Sequence, residues 1–196
     1  FEYQYGIRSA EESMLGEPPI INSDTLVNVL FMDIRDNYKS SGEFVAGFFD
    51  PQDQFMCIDP SGQSFIPTAT IESCNFPYTW SSLGNGSNII YIDTYPSQLN
   101  NDNYKTTSFT IAHEYQHLLH WNSDIKEGYF GSSENGWTFH NPWLNEGVSD
   151  LMPSILGLGY RDFSPYYSNS SIGLDDWANI GSESTLPYYS KSALFV

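Results

Sequence analysis

The sequence predicts an α+β fold, on three observations. Short β-forming runs fill the first half, a long helical pattern follows them, and a second helix opens just past a stretch rich in Gly. Residues 25–34 read TLVNVLFMDI, apolar, β-branched and brief enough for a strand. Residues 43–49 read as a second strand, with Gly47 allowing a bulge. The intervening Ser40-Ser41-Gly42 would make the two a hairpin or near neighbours. Ahead of them, residues 1–22 are polar and read as irregular, with Pro18-Pro19 ending this arm. Residues 50–86 are dense in Pro, Ser, Gly and Asn and read as loop, with strand pieces near 55–58 and 64–66, whereas residues 88–94 (NIIYIDT) form another strong strand.

The long helix is expected over about 104–121, with residues 100–103 (NNDN) offering caps. Thr106, Thr107, Thr110 and Ile111 are β-branched and lower its propensity, so packing must hold it. A loop containing Gly128, Gly131 and Gly136 runs to Pro142 and can turn the chain back antiparallel. The second helix starts near Trp143, Pro153 kinks or ends it, and Gly157 and Gly159 punctuate the chain beyond it. No internal repeat is present. The organisation expected is an arm over 1–24 and one domain over 25–196, divided into a sheet lobe with its helix (25–122) and a helical lobe (123–196).

One segment of the long helix fixes a chemistry. His113-Glu114-Tyr115-Gln116-His117 reads H-E-x-x-H, and residues four apart share a helical face, so both imidazoles can reach one metal ion while Glu114 stands beside them as a proton acceptor. A catalytic zinc usually takes three protein ligands and leaves a fourth position for water. The second helix supplies Glu146, and Asp150 lies four residues further on the same face. Glu146 is read as the third ligand and Asp150 as the carboxylate that accepts the distal N–H of a ligand histidine. The elongated H-E-x-x-H-x-x-G-x-x-H pattern would require Gly at 120 and His at 123, where His120 and Ser123 stand, and Asp124 is one residue out of step. His120 shares the His113 face and is read as a packed or partly solvated residue in preference to a ligand.

HEYQH followed by NEGVSD resembles the gluzincin metallopeptidases, whose pattern is H-E-x-x-H and then N-E-x-x-S-D. The texture of IAHEYQHLLHW and WLNEGVSD is most similar to the secreted neutral metalloproteases of the hyicolysin family. The gap between His117 and Glu146 is longer than in thermolysin-like members. The resemblance implies a zincin-like fold, in which an N-terminal mixed β-sheet lobe packs on the active-site helix and a mainly helical lobe comes after it. It implies Zn2+ on His113, His117 and Glu146, Glu114 as general base, and Asp150 orienting His113. The implied activity is hydrolysis of peptide bonds, with endopeptidase cleavage expected, by attack of a zinc-bound water on a peptide or protein substrate. His140, Tyr129 and Tyr160 are candidate hydrogen-bond donors to the tetrahedral intermediate. Trp121, Trp137, Phe139 and Trp143 read as core or cleft walls.

Composition bounds the alternatives. A net charge of −17, from 24 acidic residues against 7 Lys and Arg, repels nucleic acid and anionic lipid surfaces, and no apolar run approaches a membrane span. Such acidity also fits Ca2+ binding; Asp50, Asp53 and Asp59 cluster around Pro51, without EF-hand spacing, so solvated acidic loops are the preferred reading. Cys57 and Cys74 suit a single disulfide, which implies an oxidising compartment and a secreted, extracellular or cell-surface location. A chain opening on Phe1 is expected to be a mature or excised segment, and the apolar end at residues 192–196 suggests that the polypeptide continues. The rival reading is a non-catalytic extracellular binding or adhesion domain with a structural metal.

Overall fold

The computed structural model describes residues 6–21, 25–42, 44–54, 85–96, 104–126, 141–179 and 184–196. The fold is α+β, with a small three-stranded sheet and an increasingly helical second half. In chain order the elements are α1 (Ile7–Leu15), β1 (Val27–Met32), α2 (Tyr38–Ser41), β2 (Gly47–Phe49), β3 (Asn88–Asp93), α3 (Tyr104–Lys126), α4 (Pro142–Ile155), α5 (Ser164–Ser168) and α6 (Leu186–Phe195). Single 3₁₀ segments cover Pro51–Gln54 and Leu174–Asn179.

The strand runs at 25–34 and 88–94 form β1 and β3 as expected, but the hairpin does not form. The sheet order is β1-β3-β2: β3 inserts between the other two, parallel to β1 and antiparallel to β2. Ile90 and Ile92, at 1% and 2% exposed, make β3 the most buried of the three strands, as its central place requires. Ser40 and Ser41 lie in the short helix α2 instead of a hairpin turn. Among the described residues of the second run, 47–49 pair as a strand and Ala46 O accepts the Asp93 N–H at 2.9 Å, and Gly47 opposes Ile92 in regular register without the expected bulge. Its small size serves a close approach to α3 instead. The strand pieces near 55–58 and 64–66 lie outside the described residues, as do Cys57, Cys74 and Asp59.

The stretch expected to be irregular at the N-terminus contains helix α1, which packs on α3. Its residues are good helix formers, and Arg8 Nε donates to Glu12 Oε1 at 2.7 Å across one turn. Glu12 Oε1 also accepts the Tyr115 hydroxyl at 2.8 Å, tying α1 to α3. Glu11, fully buried, interrupts the apolar stripe that would have marked the helix. Beyond α1 the chain stays fastened: Asn122 Nδ2 donates to Glu17 O and Asn88 Nδ2 to Pro19 O, at 2.8 and 2.9 Å.

Helix α3 runs five residues past its expected end, to Lys126, and α4 matches its expected start within one residue, with Pro153 in its last turn. The core joins Ile90 of β3 to Tyr115, Leu118 and Leu119 of α3, flanked by Ile7 and Leu15 of α1 and Phe49 of β2. That packing holds the threonine-rich α3 in place and turns its other face, with His113, Glu114 and His117, toward a cleft shared with α4 and α6.

Candidate metal centre

Helix α3 delivers His113 and His117 one turn apart, and α4 brings Glu146 across to them. His113 Nε2 lies 3.1 Å from His117 Nε2, and Glu146 Oε2 stands 3.2 Å from the first and 3.4 Å from the second. Zinc–nitrogen and zinc–oxygen bonds of about 2.0–2.1 Å at tetrahedral angles place ligand atoms roughly 3.3 Å apart, so these three atoms are spaced as one small cation requires. Glu146 Oε2 is buried and makes no aligned hydrogen bond among the described residues. An orphaned carboxylate oxygen facing two ring nitrogens is costly unless a cation joins them, so the residues fit a metal ion. Among the described residues no second cluster of His, Cys, Asp and Glu converges in this way.

The outer nitrogens are held by acceptors. Asp150 Oδ1 lies 2.8 Å from His113 Nδ1, and Asn145 Oδ1 lies 3.2 Å from His117 Nδ1 and 2.9 Å from His120 Nδ1. Ser149 Oγ is 3.1 Å from His117 Nδ1 and also contacts the Gln116 side-chain oxygen. With the Nδ1 atoms engaged by these oxygens, Nε2 of both histidines faces the convergence point. Asn145 and Ser149 occupy the N and S places of the N-E-x-x-S-D pattern, so the motif was visible, but their hold on His117 was not anticipated.

The electrostatics call for positive charge at this point. Burial works against a charged His113 ring, yet the hydrogen bond to Asp150, the nearby Glu146 carboxylate and the fields of Glu114 and Asp150 raise its pKa to about 10. Burial would also raise Glu146 and Asp150, but the histidines, with Arg161 beside Asp150, hold both carboxyls below the usual range. Glu114 behaves oppositely: burial pushes its pKa up, and the nearby histidines only partly offset this. A carboxylate made more basic in a cleft is suited to accept a proton.

The cleft encloses about 250 Å³. Gly47, Phe48 and Phe49 of β2 form one wall, and His120, Trp121 and Asp124 extend the α3 side. Tyr189 of α6 lines the same space, its ring centre 6.3 Å from that of His113. Burial, then the charges of Glu146 and Glu114, raise its pKa, so its hydroxyl stays protonated. Helix α6 comes this close because residue 147 is Gly: a Cβ there would collide with Val196 and stand 2.8 Å from Ser192 O.

Tyr160 is not brought to the centre; it is 79% exposed and lines a separate hollow. His140, Tyr129, Trp137 and Phe139 lie outside the described residues. Asp53 accepts the Tyr91 hydroxyl at 2.6 Å and also the Asn85 amide, and Asp50 accepts the Gln52 backbone N–H, so both are engaged by protein donors and calcium gains no support there. Among the described residues no helix is long and apolar enough to cross a membrane.

Two helices presenting a His-Glu-x-x-His segment and a glutamate to one point define a candidate metallohydrolase centre. No family model matches the chain. Over 176 residues it is 28% identical to the neutral metalloprotease ShpI of Staphylococcus hyicus, an alignment covering 87% of this chain and 33% of that protein. The chain thus spans about a third of the length of the relative it matches.

Proposed function

We propose that this chain carries the catalytic centre of a zinc-dependent metalloprotease of the gluzincin type, similar to the hyicolysin family, that hydrolyses internal peptide bonds of protein substrates. The observation that carries the reading is the convergence of His113 Nε2, His117 Nε2 and Glu146 Oε2 within 3.1, 3.2 and 3.4 Å of one another, in a cleft that also holds Glu114. Two histidines and a glutamate converging beside a further carboxylate, Glu114, form the donor arrangement of a catalytic site. The likeness to a neutral metalloprotease supports the same class.

Two imidazole nitrogens and a carboxylate oxygen form a donor set suited to zinc, and His113, His117 and Glu146 would hold it. When bound, zinc supplies Lewis acidity, lowering the pKa of water and polarising a carbonyl. Glu114 accepts a proton from the attacking water and returns it to the departing amine. Asp150 keeps His113 in the tautomer whose Nε2 is free to ligate, and Asn145 does so for His117. Tyr189 takes the part of hydrogen-bond donor to the oxygen that becomes negative during attack. Strand β2 pairs with β3 on one side only among the described residues, and its residues line the cleft, so its free edge can take an extended peptide as an added strand. An extracellular location, with Cys57 and Cys74 bridged, belongs to this reading.

Metal analysis combined with casein digestion tests it. The protein should hold about one zinc per chain, release internal fragments from casein, stop when a chelator is added, and resume when zinc is returned. Digestion that continues unchanged under chelation would sink the proposal.

A further inference from the structure

We propose that Arg161 is a positioning residue of this centre: its guanidinium grips Asp150 at two points while lying between the rings of Phe109 and Tyr189, and so fixes the aim of His113 and the position of the cleft wall together. The inference rests on the protease reading above and adds a residue that no motif in the sequence marks.

Arg161 lies in the connection between α4 and α5. Its Nε donates to Asp150 Oδ2 at 2.7 Å and its Nη2 to Asp150 Oδ1 at 2.6 Å, the two-point geometry that a planar guanidinium forms with a carboxylate. Asp150 Oδ1 is also the atom 2.8 Å from His113 Nδ1. The Asp150 side chain is 0% exposed, so water does not hold its rotamer; the arginine fork and the His113 ring do. Rotation of that carboxylate would tilt the ring whose Nε2 faces the convergence point.

The same guanidinium has a second attachment. Its carbon lies 5.5 Å from the Phe109 ring centre and 5.1 Å from that of Tyr189. Phe109 precedes His113 by four residues on α3, and Tyr189 lines the cleft from α6. One cation therefore joins α3, α4 and α6 at the positions that set His113, Asp150 and Tyr189. Lysine cannot substitute, because an ammonium lacks both the fork and the flat face.

Arg161 also borders a hollow of about 360 Å³ shared with Lys105, Leu158 and Tyr160. Shortening its side chain leaves a path by which a small guanidinium ion can reach Asp150, which allows a purely structural role to be told from a positioning one.

The test compares Arg161→Ala and Arg161→Lys with wild type for kcat, KM, zinc dissociation constant by chelator competition, and melting temperature without metal. Both variants should lose about 10- to 100-fold in kcat and weaken zinc by about tenfold or more, with KM little changed. Millimolar guanidinium should restore much of the lost kcat and zinc affinity to Arg161→Ala and leave wild type unaffected. If Arg161→Ala does not fold, Arg161→Lys, which keeps the charge opposite Asp150, carries the comparison. Two results overturn the inference: variants whose kcat and zinc affinity match wild type, or a loss that tracks a lower melting temperature and is indifferent to guanidinium. Normal zinc binding and turnover in wild type beside unaffected variants would remove this inference alone, whereas a wild type without zinc or activity would remove the protease reading and this inference with it.

Discussion

Gly47 on β2 approaches Glu114 on α3 so closely that a Cβ at residue 47 would stand 3.3 Å from Glu114 Cγ, 2.7 Å from Thr110 Cγ2 and 2.7 Å from the Tyr91 carbonyl oxygen. The Tyr91 oxygen is main chain of the central strand, and the Thr110 side chain is held by its hydroxyl's hydrogen bond to Thr106 O at 3.1 Å, so neither swings aside as a flexible side-chain end would. The missing side chain thus sets the gap between the strand lining the cleft and the carboxylate assigned as its base.

Gly47→Ala should therefore force β2 and α3 apart. Overpacking of this kind costs roughly 1–3 kcal/mol of stability. A displacement near 1 Å at a reacting group lowers turnover by about a hundredfold. Zinc content should stay the same, since none of the three ligands touches residue 47 in the clash. Thermal unfolding and kcat measured on the zinc-loaded variant check this; an alanine variant that melts and turns over like wild type would show that the strand can shift at no cost.

Glu114→Gln preserves shape while removing the proton acceptor. Hydrolysis should fall by about 10²–10⁴-fold with zinc stoichiometry intact. Glu146→Ala should do the reverse, stripping the third donor and with it most of the retained metal. Parallel zinc analysis and casein assays separate the two, and an active Glu114→Gln protein would refute the base assignment.

These residues were legible in the sequence because their relationships are local. His113 with His117, and Glu146 with Asp150, are each four apart on one helix, and helical geometry alone places each pair on one face. The topology was less legible, since β3 enters between β1 and β2 through pairings as distant as Val27 with Asn88, which the neighbouring Ser-Ser-Gly turn signal does not encode. Helix α1 was hidden by Glu11 on its buried face. Arg161 and Tyr189 reach the centre from separate segments without a repeating spacing. The one hint in the sequence was that Arg161 is among only 7 cationic residues in a strongly acidic chain.

Tyr189→Phe tests the assigned oxyanion donor. The ring that lines the cleft and covers the Arg161 guanidinium is kept, so folding and zinc affinity should change little. Loss of a single such donor lowers kcat by about 10²–10³-fold. Because the raised pKa keeps this hydroxyl protonated, its donor role should persist across neutral and mildly alkaline pH. Steady-state kinetics showing a rise in KM alone would reassign Tyr189 to substrate binding.

Glu11 gives a pH signature separate from catalysis. Burial raises its pKa from an ordinary 4.5 to about 8, with the field of His113 opposing, and among the described residues neither carboxyl oxygen has a hydrogen-bond partner. The unfolded chain releases this proton near 4.5 while the folded chain keeps it to about 8, so between those values the unfolded state binds fewer protons. Stability must then fall as pH rises through that window, by up to about 1.4 kcal/mol per pH unit from this group, and level off above it. Glu11→Gln mimics the neutral acid and abolishes the slope. Its stability should lie closest to wild type at pH 5 and exceed it at pH 8 in denaturant titrations. Equal losses in the two proteins between those pH values would mean that Glu11 ionises in the folded state as readily as in the unfolded chain.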